Sequence, residues 1–213
     1  MRLPDKWILN LYFSLIKEVT LELENFRFSR AVYHLYHFFW KNFCDWYIEL
    51  TKFRLLNKKE GTSRYTAQWI LWYILKGTLK LFHPFMPFVT EEIYQRLPGS
   101  KESIMVSCWP CPGEKIKPEG EEEMYLLREI IREVRTIRSE IGIIPQAKIE
   151  LWLKYSQEND FNTLKENEEE ITNLARVGKL VISKDITQPA FSASSLVKDI
   201  EIFIPLQGFI DLE

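Results

Sequence analysis

Behind Pro4-Asp5, apolar residues recur at Ile8, Leu11, Leu15, Val19 and Leu23. That spacing predicts a first helix of about five turns, N-capped by Asp5. Asn25 to Phe28 interrupts the pattern. Ser29 is then the expected cap of a second helix through Ala31, Leu35, Phe38, Phe39, Phe43, Trp46 and Leu50. A polar loop from Leu56 to Ser63 leads to a third helix over about Thr62 to Leu81. His83-Pro-Phe-Met-Pro87 ends or kinks it, because each proline lacks a backbone donor and restricts its predecessor. Thr90 to Leu97 reads as a short helix. The proline-rich stretch from Pro98 to Gly120 reads as an irregular connection. A fourth long helix places Leu127, Ile130, Ile131, Val134, Ile137 and Ile141 on one face, until Gly142 and Pro145 stop it.

Beyond Pro145 the period falls from helical to two. Lys148 to Lys154 alternates as a strand, and Phe161 to Arg176 reads as an acidic amphipathic helix closed by Gly178. Lys179 to Ser183 is a second strand. Ser194 to Val197 and Glu201 to Ile204, flanking Lys198-Asp199, form an expected hairpin. The chain is therefore expected to be mainly α: a helical bundle over residues 1–118, followed by a small α+β subdomain over 119–213.

Composition narrows the class. The 213 residues are 46% hydrophobic and 14% aromatic, enough for a packed core, which excludes a disordered tail. Three cysteines are too few for a disulfide framework and fit a reducing, cytoplasmic setting. Lys76 and Lys80 interrupt the apolar region Ala67 to Val89, so no membrane span is expected. Charge is uneven: residues 1–118 carry 17 basic against 11 acidic side chains, and residues 119–213 carry 11 against 19. A nucleic-acid-facing module joined to a structural one fits this balance, and so does ordinary surface solvation.

Several side-chain groups invite chemistry. Cys108-Trp-Pro-Cys111 has redox or half-zinc spacing, yet the remaining cysteine, Cys44, lies within a helix, and Pro110 and Pro112 make the segment extended. A coincidental pair is the expectation, with a thiol oxidoreductase as the rival. His34 and His37 share a helix face without an acidic or thiol partner one turn on, so they read as packed or partly exposed helix residues. His83 reads as a kink residue. Arg128, Arg132 and Arg135 form a stripe beside Glu129, Glu133 and Glu140, expected to be a solvated, salt-bridged face. Tyr33 to Phe53 is denser in aromatics than one buried helix face accommodates. Lys52, Arg54, Lys58, Lys59 and Arg64 follow, with Glu60 among them. Aromatic or apolar platforms beside basic side chains suit an unpaired RNA loop, whose bases stack while its phosphates are neutralised.

One stretch is recognisable. Trp40-Lys-Asn-Phe-Cys-Asp-Trp-Tyr-Ile-Glu-Leu-Thr-Lys52 resembles the W-x-x-F-C-D-W-Y-[LI]-E-x-x-K signature in the anticodon-binding region of the valyl-tRNA synthetases, class I aminoacyl-tRNA synthetases. Pro4-Asp-Lys-Trp-Ile-Leu9, Leu81 to Glu92 (L-F-H-P-F-M-P-F-V-T-E-E) and Ser103 to Pro110 (S-I-M-V-S-C-W-P) resemble further family stretches in the same order. Val134 to Glu140 is similar to the helix that opens the family's small C-terminal unit.

The resemblance implies an anticodon-binding bundle that contacts the anticodon loop of a valine tRNA, with the remainder of a synthetase chain as partner and neither membrane nor DNA. It implies that Ile48 lies beneath a base, that Glu49 accepts from an exocyclic amine and that Lys52 meets a phosphate, with Lys58 and Lys59 adding positive charge. Asp45 and Trp46 are expected to hold helix packing. The family's H-I-G-H and K-M-S-K-S signatures do not occur in this sequence. The chain is accordingly expected to be a non-catalytic portion that starts after the family bundle's first helix and stops before its coiled-coil arm. No catalytic residue, metal or cofactor is assigned to it; ATP with Mg would belong to the parent enzyme's catalytic domain. The alternatives are the same region of an isoleucyl or leucyl enzyme, or a helical protein-interaction module.

Overall fold

Helical spacing at the N-terminus produces α1 (Leu3–Glu24), and the computed structural model describes this helix within residues 1–57, 61–100, 102–113 and 120–207. The chain divides into two compact units, Met1–Glu119 and Gly120–Glu213.

In the first unit, α1 starts before the expected cap. Asp5 occupies the third helical position, with Arg2 as the N-cap residue, and its Oδ2 accepts the Arg2 N–H at 3.0 Å. The chain reverses at Asn25–Arg27, where Phe26 takes φ 57° and the Arg27 N–H reaches the Glu22 carbonyl at 2.8 Å. The helix then restarts at Phe28 rather than after Ser29, and no side chain caps it.

What the pattern reads as one α-helix has three geometries: α2 (Phe28–Tyr36), a π-helical stretch (His37–Ile48) and α3 (Glu49–Leu56). This resolves the surplus of aromatics. A π-helix bonds i to i+5, so residues five apart come nearer to one line than in an α-helix. Phe38 and Phe43 are both buried, and Ile48, five further on, is half-buried. Trp46 and Tyr47 also face inward, while Trp40 stays exposed.

Next come α4 (Gly61–Phe82) and α5 (Pro87–Arg96), the latter with proline in its first turn, where a missing donor costs nothing. Glu91 on α5 holds the following 3₁₀ turn, Ile104–Val106, by accepting the Ser103 hydroxyl at 2.8 Å and the Ile104 N–H at 3.2 Å.

One buried polar cluster ties three helices of this unit. The Arg54 guanidinium donates through Nη1 to Asp5 Oδ1 at 2.8 Å and through Nη2 to Asp5 Oδ2 at 3.0 Å. The Tyr47 hydroxyl donates to Asp5 Oδ1 at 2.8 Å. Arg54 also donates to the Ser63 hydroxyl at 3.0 Å and the Ser63 carbonyl at 2.8 Å, reaching α4. Asp5 and Tyr47 are 0% exposed and Arg54 1%. Elsewhere α4 approaches α1 through a glycine: a Cβ on Gly77 would lie 1.6 Å from the Tyr12 hydroxyl oxygen.

The second unit opens with α6 (Glu121–Glu140), which ends at Gly142 with φ 75°. It buries Leu127, Ile130, Ile131, Val134 and Ile137 as expected, whereas Ile141 lies past its last residue and is only half-buried. The sheet runs in the order β2-β1-β4-β3, from β1 (Ile149–Lys154), β2 (Val177–Ser183), β3 (Ser192–Val197) and β4 (Ile200–Pro205). β1 pairs in parallel with β2 and antiparallel with β4, and β3–β4 is the expected hairpin. On β1, Ile149, Leu151 and Leu153 face the core.

The acidic helix differs from its expected form. It is split into α7 (Glu158–Glu166) and α8 (Glu168–Leu174) at the buried Asn167, whose side-chain amide donates to the Thr163 carbonyl at 2.8 Å. A side chain that bonds its own backbone competes with the helix ladder. Arg176, at φ 56°, follows α8, while Gly178 lies inside β2. Arg138, 6% exposed, donates to five carbonyls around this turn; the shortest contact is 2.8 Å, to Ala147.

Replacing Arg54 by Met strands Asp5 in the core, and breaking a buried pair this way costs about 3–5 kcal/mol. Urea unfolding of Arg54→Met should show a loss of that size. Gly77→Ala should also destabilise, by about 1–3 kcal/mol, since Tyr12 must leave its packed position. An unchanged urea midpoint for either variant contradicts these assignments.

Candidate nucleic-acid interface

The expected reading residues fall where π geometry hands over to α. Ile48 closes the π stretch and is half-buried; Glu49 opens α3; Lys52 is exposed. Beneath them the buried Thr51 hydroxyl bonds the Tyr47 and Ile48 carbonyls, each at 3.0 Å, and Tyr47 is fixed by Asp5. Burial, and then the Asp5 charge, push the Tyr47 hydroxyl far above the ordinary tyrosine range, so it stays a donor. The core cluster therefore supports this ridge directly.

Glu49 and Lys52 are bonded to each other in an exposed i,i+3 ion pair. One turn earlier Lys41 and Asp45 pair at 3.6 Å, both more than half exposed. The ridge is thus electrically self-compensated. The basic cluster expected here shrinks accordingly: Arg54 is internal and engaged by Asp5, Arg64 is half-buried, and Lys58 and Lys59 lie outside the described residues. Exposed ion pairs contribute only about 0–1 kcal/mol, so Glu49 and Lys52 separate at little cost.

Of the packing pair expected in the motif, Trp46 is buried and Asp45 is not. Asp45 is 53% exposed and points to Lys41, because the π stretch carries it to the outer side of the helix.

The other candidates resolve into structural contacts. Cys108 and Cys111 are exposed free thiols and Cys44 is a half-buried one. Burial, then the Asp45 charge, raise the Cys44 pKa. Among the described residues no group of three or more His, Cys, Asp or Glu is arranged to hold a metal ion. His34 lies 3.3 Å from Glu18, and His37 stacks on Tyr33 with ring centroids 6.2 Å apart. His83 Nδ1 is 2.8 Å from the Thr90 hydroxyl, which itself donates to the Met86 carbonyl at 2.7 Å, so the imidazole fixes the proline turn. The arginine stripe on α6 is only partly solvated. Arg132 pairs with Glu129 at the surface, Arg128 is half-buried and its pKa is lowered, chiefly by burial, and Arg135 donates to the Leu174 carbonyl at 3.1 Å.

A family model described as the anticodon-binding domain of tRNA ligase matches residues 5–153. The chain belongs to that family. The match runs through the helical unit and α6 and ends within β1. The chain is 41% identical over 212 residues to the valine–tRNA ligase of Geobacter sulfurreducens, covering 98% of this chain and 24% of that protein. It is 39% identical over 210 residues to that of Bacillus subtilis, with the same coverage. Against that of Carboxydothermus hydrogenoformans it is 39% identical over 214 residues, covering 100% of this chain and 24% of that protein. The chain thus spans about a quarter of the length of these relatives.

Cys108 and Cys111 are exposed free thiols, and a coincidental pair stays the expectation for them. Replacing Cys108 and Cys111 together by Ser should shift stability by no more than about 0.5 kcal/mol. Melting should not depend on reductant in either protein; a reductant-dependent shift in the parent chain alone would restore the redox reading.

Proposed function

We propose that this chain reads the anticodon loop of valine tRNA as part of a valine–tRNA ligase. The observation that carries the proposal is the match of residues 5–153 to the anticodon-binding domain of tRNA ligases, joined to relatives about 40% identical that are named valine–tRNA ligases. In this reading the chain contributes binding. Activation of valine with ATP and Mg, and its transfer to the tRNA, belong to the rest of the ligase chain, which is the protein partner. The partner nucleic acid is RNA rather than DNA. A cytoplasmic location is supported by the three free thiols and by the lack of any described helix long and apolar enough to cross a membrane.

The recognition step follows from the ridge. Ile48 offers an apolar seat for a base, and the Glu49 carboxylate accepts from an exocyclic amine once Lys52 swings to a phosphate. Lys52 positions the strand without specifying sequence. Lys58 and Lys59 are proposed to extend the phosphate contact.

Glu49→Gln removes charge but keeps shape. It should reduce discrimination at one anticodon base, where a good direct contact is worth about 1–3 kcal/mol. Overall affinity should hold or rise, because Lys52 is released from its partner. Lys52→Ala should instead weaken every tRNA alike and make the salt dependence shallower by about 0.7–0.9 in log–log slope. Both are measured by filter binding of the complete ligase to valine tRNA and to single-base anticodon variants. Equal loss for all anticodons with Glu49→Gln overturns the base-reading role.

A further inference from the structure

On the first unit, away from the ridge, a pocket of about 270 Å³ opens between α1, the C-terminal half of α4 and the Cys108–Cys111 segment. Lys76 lies roughly 20 Å along α4 from Ser63, the residue that joins α4 to Arg54. Among the lining residues are Tyr12, Trp72, Tyr73, Lys76, Lys80 and Trp109, and none of the described lining residues is a carboxylate.

The two cations are held by ring and carbonyl contacts. The Lys76 ammonium sits 4.9 Å from the Trp72 ring centroid and 5.4 Å from that of Tyr94. Lys80 donates to the Cys108 carbonyl at 2.9 Å. Among the described residues neither has an acidic partner within ion-pair distance.

The aromatic walls are fixed. The Trp72 indole N–H donates to the Pro98 carbonyl at 3.0 Å and that of Trp109 to the Thr20 hydroxyl at 2.9 Å. Tyr73 is stacked on Trp69 at 4.9 Å and 8°.

Tyr12 is 1% exposed and lines this pocket. Burial, and then Tyr73, raise its pKa beyond the ordinary tyrosine range, so it remains a donor. Gly77 makes room for that hydroxyl oxygen, which no larger residue at this position would leave in place.

Two lysines exclude a cationic guest, such as the quaternary ammonium that an aromatic lining alone would suit. The aromatic walls, in turn, are more than an isolated anion needs. A flat ring bearing a phosphate satisfies both, because bases stack on aromatic side chains while lysines neutralise the phosphate. The volume, just below the range of about 300–1,000 Å³ usual for ligand pockets, suits one such unit.

We propose that this pocket binds a single unstacked nucleoside monophosphate unit, its phosphate at Lys76 and Lys80, its base against the tryptophan and tyrosine rings and a polar edge on the Tyr12 hydroxyl. That unit is either a nucleotide of the bound RNA or a free mononucleotide, and in its RNA form the proposal rests on the tRNA-binding reading above.

The test titrates the full chain with AMP, CMP, GMP and UMP by calorimetry and, separately, with valine tRNA by filter binding. Lys76→Gln, Tyr12→Phe and Trp109→Ala are compared with the parent protein. Tyr12→Phe keeps the ring that packs on Phe38 and Tyr73. Lys76→Gln alters a side chain engaged only by ring contacts.

The parent protein should bind at least one of the two probes through the pocket. For that probe, Trp109→Ala should weaken binding about tenfold, within the usual range for loss of one base stack. Lys76→Gln and Tyr12→Phe should weaken it severalfold. Sensitivity of tRNA binding alone assigns the pocket to an RNA nucleotide; sensitivity of mononucleotide binding alone assigns it to a free one. If Lys76→Gln and Tyr12→Phe change neither affinity, or the parent protein binds neither probe, the proposal is overturned. Failure of the anticodon reading shows separately, in Glu49→Gln and Lys52→Ala, with the pocket variants still responding.

Discussion

The helical unit depends on a charge pair that water does not reach. Asp5 and Arg54 are 49 positions apart in sequence, yet their bidentate contact joins the start of α1 to α3, and Ser63 extends it to the start of α4. The desolvation of two buried charges is severe and is offset only when nearly every donor and acceptor is matched. Here the matching is close to complete: the carboxylate accepts from Arg54, Tyr47 and the Arg2 backbone. Such a cluster tolerates only one arrangement of its helices. Because Tyr47 belongs both to this cluster and to the turn beneath Ile48 and Glu49, the geometry of the core is also the geometry of the ridge.

The ridge carries no excess charge of its own. Lys41 with Asp45, and Lys52 with Glu49, leave a surface that attracts an anion weakly until one of these pairs opens. Opening an exposed pair is cheap, whereas burying an unpaired carboxylate against the wrong base is not. If the ridge reads a base as proposed, this arrangement favours discrimination over raw affinity. The lysine–aromatic pocket has the opposite character, with cations that no carboxylate among the described residues answers. The two sites would therefore divide the labour: one supplies attraction, the other selectivity.

Much of this was legible in the sequence, and the losses have definite causes. The apolar spacing located α1, the run from α2 to α3, and α6, and the alternation of Ile149, Leu151 and Leu153 located a strand, because burial on one face leaves a period in the chain. The signature at Trp40 to Lys52 marked the ridge. Arg54 was misread as a surface cation since its type says charge and its partner lies 49 residues away. Its position did hold a clue, for Tyr47, Leu50 and Arg54 fall on one buried stripe. The break at Asn167 hid within a uniformly acidic, helix-favouring run. The change from α to π geometry left no compositional mark, and with it went the outward turn of Asp45. Arg138 was equally silent, as its carbonyl acceptors come from a loop and a turn that no periodicity describes.

The π-helical stretch makes the length of the chain between Tyr36 and Glu49 part of what places the proposed reading residues. An α-helix advances about 100° per residue, so each residue gained or lost between its ends rotates whatever follows. Losing one residue within His37–Ile48 would turn α3 by somewhat less than that angle about its axis relative to α2, since a π turn takes more residues than an α turn. Arg54 would swing away from Asp5, and Glu49 and Lys52 would leave the outer face together. Substitutions along this segment can be absorbed side chain by side chain, but insertions and deletions cannot. The wide turns act as a spacer of fixed count, phasing a buried ion pair and the exposed Glu49–Lys52 pair on opposite sides of one continuous helix.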